Sequence, residues 1–329
     1  MSPLERIFCI YCKKAIEILL NDVQICPNCA EILKIPQAEL FNGVFVLKKE
    51  AAALKELEKN LTEKILFKGL HEVTTNEFEV NDDHSIVSLR LNFNNLEELP
   101  NLFNNFSNLT ELKITSRSLT KLTSDFCPPS LKDLSFFSCN FSMFPSALFK
   151  CTSLVSLWIS GTKISSIPGE ISKLRSLESL KLNNNKIKFI PDAIKTLSKL
   201  TVLDLGCNSI MIFPKSLCEL NNLNMLKMHV NYLEELPEEI INLKNLQILD
   251  LYCNFLIRMP SLPSSLQYLD LSSNFNLELS ENLEEFKNLK ILNIGGNTKI
   301  NIKDVKKIIK ESSLVTKLNI LAPNTDLLE

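Results

Sequence analysis

Apolar residues recur at a fixed spacing along most of the chain. Leu177, Leu200, Leu223 and Leu246 lie 23 residues apart, and each begins a phrase close to L-x-x-L-x-L-x-x-N-x-L. Further copies begin at Ile86, Leu109, Leu131, Leu154, Leu266 and Leu289, and a degenerate copy lies near Val315. A period of this length over about ten or eleven units indicates a repeat protein whose units stack on one another.

Within each unit, leucines alternate with polar residues, as in Leu180-Lys181-Leu182. In a β-strand, successive side chains point to opposite faces, so such leucines enter the core and the residues between them face outward. Each unit is therefore predicted to contribute one short parallel strand.

An asparagine follows the strand in most units and is predicted to be structural. Its amide can satisfy backbone groups where the chain turns, and stacked copies would form a ladder. This position is assigned to Asn94, Asn185, Asn208, Asn231, Asn254, Asn274 and Asn297. Three units depart from the pattern, with Arg117, Cys139 and Thr162.

Proline stands about six residues after the asparagine position in most units, as in Ile167-Pro168, Ile190-Pro191 and Leu236-Pro237. Proline suits the first turn of a helix, and the acidic residues that follow it favour the helix dipole. The side of each unit opposite the strand is therefore predicted to be helical or 3₁₀.

The repeated phrase resembles the leucine-rich-repeat family over roughly three quarters of the chain. That resemblance implies an α/β solenoid, a horseshoe with a parallel sheet on its concave face, over residues 84–329. The L-P-x-x-I version is similar to Ras-group and Shoc2-like intracellular proteins, which are scaffolds for small GTPases and phosphatases. The implied function is therefore that of a protein-binding scaffold.

The outward positions of the strands are predicted to bind the partner, because a curved array leaves one broad face there. Tryptophan, tyrosine and arginine are common anchors at such interfaces. The candidate partner-binding residues are Arg90, Phe93, Lys113, Phe137, Trp158, Lys181, Asp204, Lys227, His229, Asp250, Tyr252 and Asp270. The alternative is a solvated face with scattered aromatic residues.

Residues 1–35 contain two C-x-x-C pairs, Cys9 with Cys12 and Cys26 with Cys29. Four thiolates at this spacing can close a tetrahedral metal site, and the arrangement resembles a zinc ribbon. Because the protein would fill all four positions, a structural Zn²⁺ is expected, with iron in a rubredoxin-like site as the alternative.

Residues 36–83 are predicted to form a helical linker. Helix-forming residues with leucines at helical spacing run from Lys48 to Leu70. A solenoid needs a cover for its first repeat, so this segment is predicted to cap the array. A partner-binding coiled coil is the alternative.

The composition bears on nucleic-acid binding, membrane insertion and cellular compartment. The net charge of −2 supplies no basic stripe for nucleic acid, and no apolar run is long enough to span a membrane. The chain begins without a signal-like segment, and the six cysteines within the repeats are interpreted as free thiols. These features predict a cytoplasmic monomer.

No catalytic constellation emerges from the sequence. Three histidines, seven glycines and no phosphate-binding loop leave no nucleophile and base that the repeats would bring together. The chain is therefore predicted to be a non-enzymatic scaffold with a protein partner and no small-molecule substrate. The predicted process is signalling. The alternatives are an adaptor that acts through the zinc ribbon in the ubiquitin pathway or on nucleic acid, and a regulatory subunit of a phosphatase or small GTPase pathway.

Overall fold

The chain divides into two units, Met1–Cys139 and Asn140–Glu329. The computed structural model describes residues 6–8, 15–17, 38–42, 44–61, 63–68, 76–278, 288–300 and 317–319.

The first unit begins with two antiparallel pairs of strands. Strand β1 (Arg6–Phe8) pairs with β2 (Ala15–Glu17), and β3 (Ala38–Phe41) pairs with β4 (Val44–Leu47). Helix α1 (Lys48–Glu58) follows β4 without a break.

Helix α1 is shorter than the predicted helical segment. Its residues Leu54 and Leu57 are fully buried, in agreement with leucines at helical spacing. The helix ends at Glu58, and the carboxylate of this residue accepts hydrogen bonds from the Ile65 backbone N–H (2.8 Å) and the Asn42 side chain (2.9 Å). These bonds turn the chain back towards a strand. That α1 caps the repeats stays a prediction.

Five further strands belong to the first unit: β5 (Leu66–Phe67), β6 (Glu77–Val80), β7 (Ile86–Phe93), β8 (Glu111–Ser116) and β9 (Asp133–Phe137). Strands β7, β8 and β9 are parallel, as the repeat phrase predicts. Strand β6 runs antiparallel to β7, so it lies outside the repeat pattern and was not predicted. A short 3₁₀ helix, η1, spans Phe103–Asn105.

The second unit contains a parallel sheet with one strand per repeat. Its strands are β10 (Ser156–Ser160), β11 (Ser179–Lys181), β12 (Val202–Asp204), β13 (Met225–Lys227), β14 (Ile248–Asp250), β15 (Tyr268–Asp270), β16 (Ile291–Asn293) and β17 (Lys317–Asn319). Each strand pairs in register with the next one in the chain. The leucines of β10 to β16 fill the core, as predicted.

Short 3₁₀ helices return the chain between strands of the second unit, and each begins directly after a proline. They are η2 (Ser146–Lys150), η3 (Gly169–Lys173), η4 (Asp192–Thr196), η5 (Lys215–Glu219) and η6 (Glu238–Asn242). The carbonyl of Pro191, for example, accepts a 3.0 Å bond from the Ile194 N–H. The prediction of a helical or 3₁₀ segment is confirmed after Pro168, Pro191 and Pro237, whereas in the part of the chain described here no helix follows Pro260.

The asparagine ladder satisfies backbone groups inside the second unit. The Asn208 amide donates to the carbonyls of Leu182 (2.9 Å) and Leu205 (3.0 Å), while its oxygen accepts from the Ile187 N–H (2.9 Å). Its side chain thereby joins two repeats. The amides of Asn185, Asn231, Asn254, Asn274 and Asn297 donate equivalent bonds to backbone carbonyls and are likewise buried, while the Asn185 oxygen accepts from the Thr162 hydroxyl.

The assignment of Asn94 to this ladder is wrong. Strand β7 continues to Phe93, whose side chain points inward and is 1% exposed, while Asn94 is exposed. The next unit behaves in the same way, with Ser116 buried and Arg117 exposed. Longer strands in these units place the inward position one residue earlier.

Candidate functional site

The outward residues of consecutive strands form one row in the second unit. This strand-face row consists of Trp158, Lys181, Asp204, Lys227, Asp250, Asp270 and Asn293. Neighbours in the row lie directly beside each other because the strands are in register, about 4.8 Å apart. The prediction that these residues share one face of the sheet is confirmed for this unit.

Trp158 is fixed by two neighbours from the adjacent repeat. Its indole Nε1–H donates a 2.8 Å hydrogen bond to Oδ1 of Asn183, and the ammonium of Lys181 lies 4.9 Å from the ring centroid. The second distance is that of a cation–π contact. The ring is therefore held in one orientation at the surface while remaining half-buried.

The aspartates of the row are partly structural. Oδ1 of Asp204 accepts the Gly206 backbone N–H at 3.0 Å, and Oδ1 of Asp250 accepts the Tyr252 N–H at 3.2 Å. Each carboxylate thus caps the end of its own strand, as aspartates do in turns. These bonds add a structural role to the partner binding that the sequence predicts for both residues.

His229 lies next to this row and contacts Asp250. Its Nδ1 is 3.1 Å from Oδ2 of Asp250, and this carboxylate raises the pKa of the imidazole above its usual value. The nearby charge of Lys227 acts to lower the same pKa.

Asp270 is held in a polar cluster at the other end of the row. Its Oδ2 accepts hydrogen bonds from the Tyr268 hydroxyl (3.1 Å) and the Asn293 amide (2.7 Å). Burial and the Asp270 charge raise the pKa of Tyr268 to about 12. Asp270 is 8% exposed, so it offers a partner less surface than the sequence suggested.

The candidate residues of the first unit occupy different environments. Arg90 and Lys113 are adjacent, as predicted, but Arg90 lies 3.6 Å from Glu77 on the unpredicted strand β6, and Lys113 pairs with Glu111. Phe93 is buried, so its prediction as a partner-binding residue is wrong. Phe137 is half-buried.

Sequence reasoning missed a row of aromatic side chains at the edge of the second unit. Tyr232, Phe255 and Phe275 each stand one residue after a ladder asparagine, and they are 50%, 52% and 57% exposed. The rings of Tyr232 and Phe255 stack with centroids 5.9 Å apart. The sequence does distinguish these three positions, because lysine, serine or threonine follows the other ladder asparagines. We call these three residues the edge row.

Exposed apolar side chains concentrate in the second unit. Of the described residues, the large apolar side chains that are exposed are Met143, Phe189, Met211, Ile212, Val230, Tyr232, Tyr252, Phe255, Ile257 and Phe275. All of them lie beyond Cys139. Concentrated apolar surface of this kind is typical of an interaction site.

The predicted metal site at the N-terminal cysteines is separate from these surfaces in the sequence. Cys9, Cys12, Cys26 and Cys29 lie outside the described residues. Within the described part of the chain, no group of three or more histidine, cysteine or acidic side chains could hold a metal ion. None of the helices described there is both long and apolar enough to cross a membrane.

Comparisons with known proteins agree with this fold. Residues 176–197 and 199–220 match the family model described as Leucine Rich Repeat. No curated protein matches the chain.

Solved structures provide further likenesses. A leucine-rich-repeat protein of Leptospira interrogans is 27% identical, with 71% of this chain covering 72% of that one at a TM-score of 0.53. The plant peptide hormone receptor RGFR1, solved in complex with RGF2, is 25% identical, with 72% of this chain covering 40% of the receptor at a TM-score of 0.56. The functional domain of InlJ from Listeria monocytogenes is 18% identical over 77% of this chain and 58% of that one, at a TM-score of 0.56, and shows the fold alone.

These matches, the parallel strand order and the asparagine ladder support the assignment of the chain to the leucine-rich-repeat proteins. Proteins with this fold generally mediate protein–protein interaction, and no catalytic family is indicated.

Proposed function

We propose that this chain is a non-enzymatic scaffold that binds a protein partner on the strand face of its second unit. The observation that carries the proposal is the fixed orientation of Trp158 between Lys181 and Asn183. A large ring held in place loses little conformational entropy on binding, which is why such residues serve as interface anchors.

The edge row extends this surface. Tyr252 on the strand side and Phe255 at the edge belong to the same repeat and are both exposed. A partner seated on the strand face would reach the edge row and bury aromatic rings at about 25 cal/mol per Å² of apolar surface. The plant receptor, which is solved with RGF2 bound, supports a peptide or protein as the partner.

Further parts of the proposal concern where and how the chain acts. The six cysteines within the repeats are free thiols, which supports a reducing compartment and hence the cytoplasm. We also propose that the chain acts as a monomer. The L-P-x-x-I phrase is similar to that of Ras-group proteins and supports a role in signalling through a small GTPase or phosphatase.

We propose that Cys9, Cys12, Cys26 and Cys29 hold a structural zinc ion. The spacing of the cysteines supports this, and so does the antiparallel pairing of β1 with β2, because the six residues between those strands include Cys9 and Cys12. The ion would supply folding energy to a segment too small to have a core of its own.

Affinity capture tests the binding function. Wild-type chain and a Trp158→Ala, Lys181→Glu double variant are used as baits in lysate, and the bound proteins are quantified by mass spectrometry. We expect at least one protein to be captured by the wild type and reduced tenfold or more with the variant, because the anchor and its cation are both removed.

A matched control separates the site from general charge effects. Lys244→Glu makes the same charge change at an exposed lysine in the turn after η6, away from the strand face. This variant should retain the partner. Equal capture by the double variant and wild type would show that binding uses another surface.

A further inference from the structure

A groove crosses three successive repeats of the second unit, on the side between the ladder asparagines and the 3₁₀ helices. Its volume is about 1030 Å³. Met211, Ile212 and Ile257 form apolar walls and are 48% to 69% exposed, while Phe213 and Leu236 are buried beneath them. None of these residues belongs to the strand-face row.

Repeat geometry builds this groove. The residues two and three positions before Pro214, Pro237 and Pro260 face outward, because the residue directly before each proline enters the core. In the three repeats these outward pairs are Met211 with Ile212, Glu234 with Glu235, and Ile257 with Arg258. An acidic pair therefore stands between two apolar positions.

The charge of the groove is predominantly negative. Its lining contains Glu234, Glu235, Glu238 and Glu239, against Lys215 and Arg258. Lys215 is 2.5 Å from Glu239, and this pair lowers the pKa of the glutamate and raises that of the lysine, so their charges offset each other.

The remaining carboxylates lack such compensation. Glu234, Glu235 and Glu238 form no ion pair with any residue that the structure describes, and all three are exposed. Arg258 is the single cation left in the lining to face them. Apolar walls with uncompensated carboxylates between them suit a ligand that is both apolar and cationic.

We propose that this groove docks a basic amphipathic segment of a partner protein, with apolar side chains against Met211, Ile212 and Ile257 and lysines or arginines facing Glu234, Glu235 and Glu238. Nucleic acid and anionic lipid are disfavoured by the same carboxylates, because like charges repel. The site is separate from the strand face of the proposed function, so either could fail without the other.

The experiment measures binding of two fluorescent model peptides to the full chain by anisotropy. Both peptides have leucines at helical spacing on one face, and the other face carries lysines in the first peptide and glutamates in the second. We expect the cationic peptide to bind at least tenfold more tightly than the anionic one. We also expect its affinity to fall as salt is raised.

Variants locate the site. Glu234→Lys with Glu235→Lys should weaken cationic-peptide binding tenfold or more, and Ile212→Ser should weaken it about fivefold. Phe189→Ser is the matched control, because Phe189 occupies the position equivalent to Ile212 one repeat earlier, is 68% exposed and does not line the groove. It should leave binding unchanged, as should Trp158→Ala, and thermal melts should show all variants folded.

Three results would overturn the proposal: equal affinity for the two peptides, wild-type affinity in the groove variants, or loss of peptide binding in Trp158→Ala. Sedimentation of the chain alone measures its oligomeric state and tests for a different occupant of the groove. A wild-type dimer that Ile212→Ser converts to monomer would show that a second copy covers the groove, and the proposed partner segment would be wrong.

Discussion

The imidazole of His229 packs directly against Gly206 of the preceding repeat. A Cβ atom placed on residue 206 would stand 2.3 Å from Cε1 of the ring, closer than any real contact. Gly206 is therefore required for the orientation in which His229 meets Asp250. Glycine at position 206 thus permits the close approach of the His229 ring.

Replacing Gly206 by alanine should displace His229 from Asp250. The imidazole is at the end of a side chain that can rotate outward, so we expect a loss of stability of only about 1 kcal/mol. The pKa of His229, measured by NMR titration, should fall towards its usual value because the carboxylate no longer stabilises the charged ring. Gly169→Ala is the control, since a Cβ there meets nothing within 4 Å. An unchanged His229 pKa in Gly206→Ala would contradict the packing.

The same contact makes stability depend on pH. The folded-state pKa of His229 is raised above the ordinary value of 6.5. The contact between the charged imidazole and Asp250 therefore contributes fully to the unfolding free energy below about pH 6.5, and this contribution is lost as pH rises through the raised pKa. We expect the wild type to exceed His229→Gln in unfolding free energy by less than about 1 kcal/mol at pH 5.5, because the pair is partly solvated. The difference should shrink by pH 8.5. Denaturant melts at both pH values measure this, and a constant difference would exclude the ion pair.

Val230 occupies a backbone conformation that β-branched residues avoid. Its φ is 52°, in the left-handed region, and the same position one repeat later is Cys253 at 55° and two repeats earlier is Asn184 at 54°. Asparagine tolerates this region, whereas valine is strained there by roughly 1–2 kcal/mol. Val230→Asn should therefore raise the unfolding free energy by about 1 kcal/mol.

A control for this variant is Val202→Asn, because Val202 lies in strand β12, where valine is favoured. That change should destabilise the chain. If Val230→Asn stabilises the protein and also weakens partner capture, the strained and exposed valine belongs to the binding surface. If it lowers stability, the strain at Val230 is not significant.

Much of the fold could be predicted because the repeat encodes it locally. The leucine alternation predicts the strands, and prolines such as Pro191 predict the 3₁₀ turns that follow. The prediction failed where the strand length changes, at Phe93 and Asn94, because β7, with eight residues against three in β11, keeps alternating and places a different residue inward. The spacing of leucines does not reveal that length.

The candidate site was harder to predict. Register alone places Trp158 beside Lys181, so this pair was accessible from the sequence. The edge row and the groove were missed because Phe255 and Ile257 alternate with Leu256 and resemble core residues. Strand β6, which supplies Glu77 to Arg90, has no repeat signature. Such contacts depend on packing between segments rather than on a local pattern.

Zinc binding can be tested by elemental analysis of the purified chain. We expect about one zinc ion per chain in the wild type, and loss of that zinc in a Cys26→Ser, Cys29→Ser variant, because tetrahedral sites need all four thiolates. Cys207→Ser, Cys253→Ser is the control, since these are free thiols of the repeats. Iron in place of zinc would favour an electron-transfer site, and an absence of metal would exclude the site.

The ladder predicts that replacing Asn231 by alanine lowers the unfolding free energy much more than replacing Asn222 does. Asn231 is buried, donates to the carbonyls of Leu205 (3.0 Å) and Met228 (3.1 Å), and accepts from the Ile210 N–H (2.9 Å). Asn231→Ala leaves the buried Ile210 N–H without its partner, whereas the Leu205 and Met228 carbonyls each keep one amide bond, from Asn208 and Asn254. We therefore expect a loss of about 2 kcal/mol in unfolding free energy.

Asn222 is the matched control, because it is exposed and donates one bond, to the Ser198 carbonyl at 2.8 Å. Water replaces that bond in Asn222→Ala, so the expected loss is below about 1 kcal/mol. Guanidinium denaturation of both variants measures the contrast. Similar losses would mean that burial of the Asn231 amide contributes little, and that the repeats are held together by their leucines rather than by the ladder.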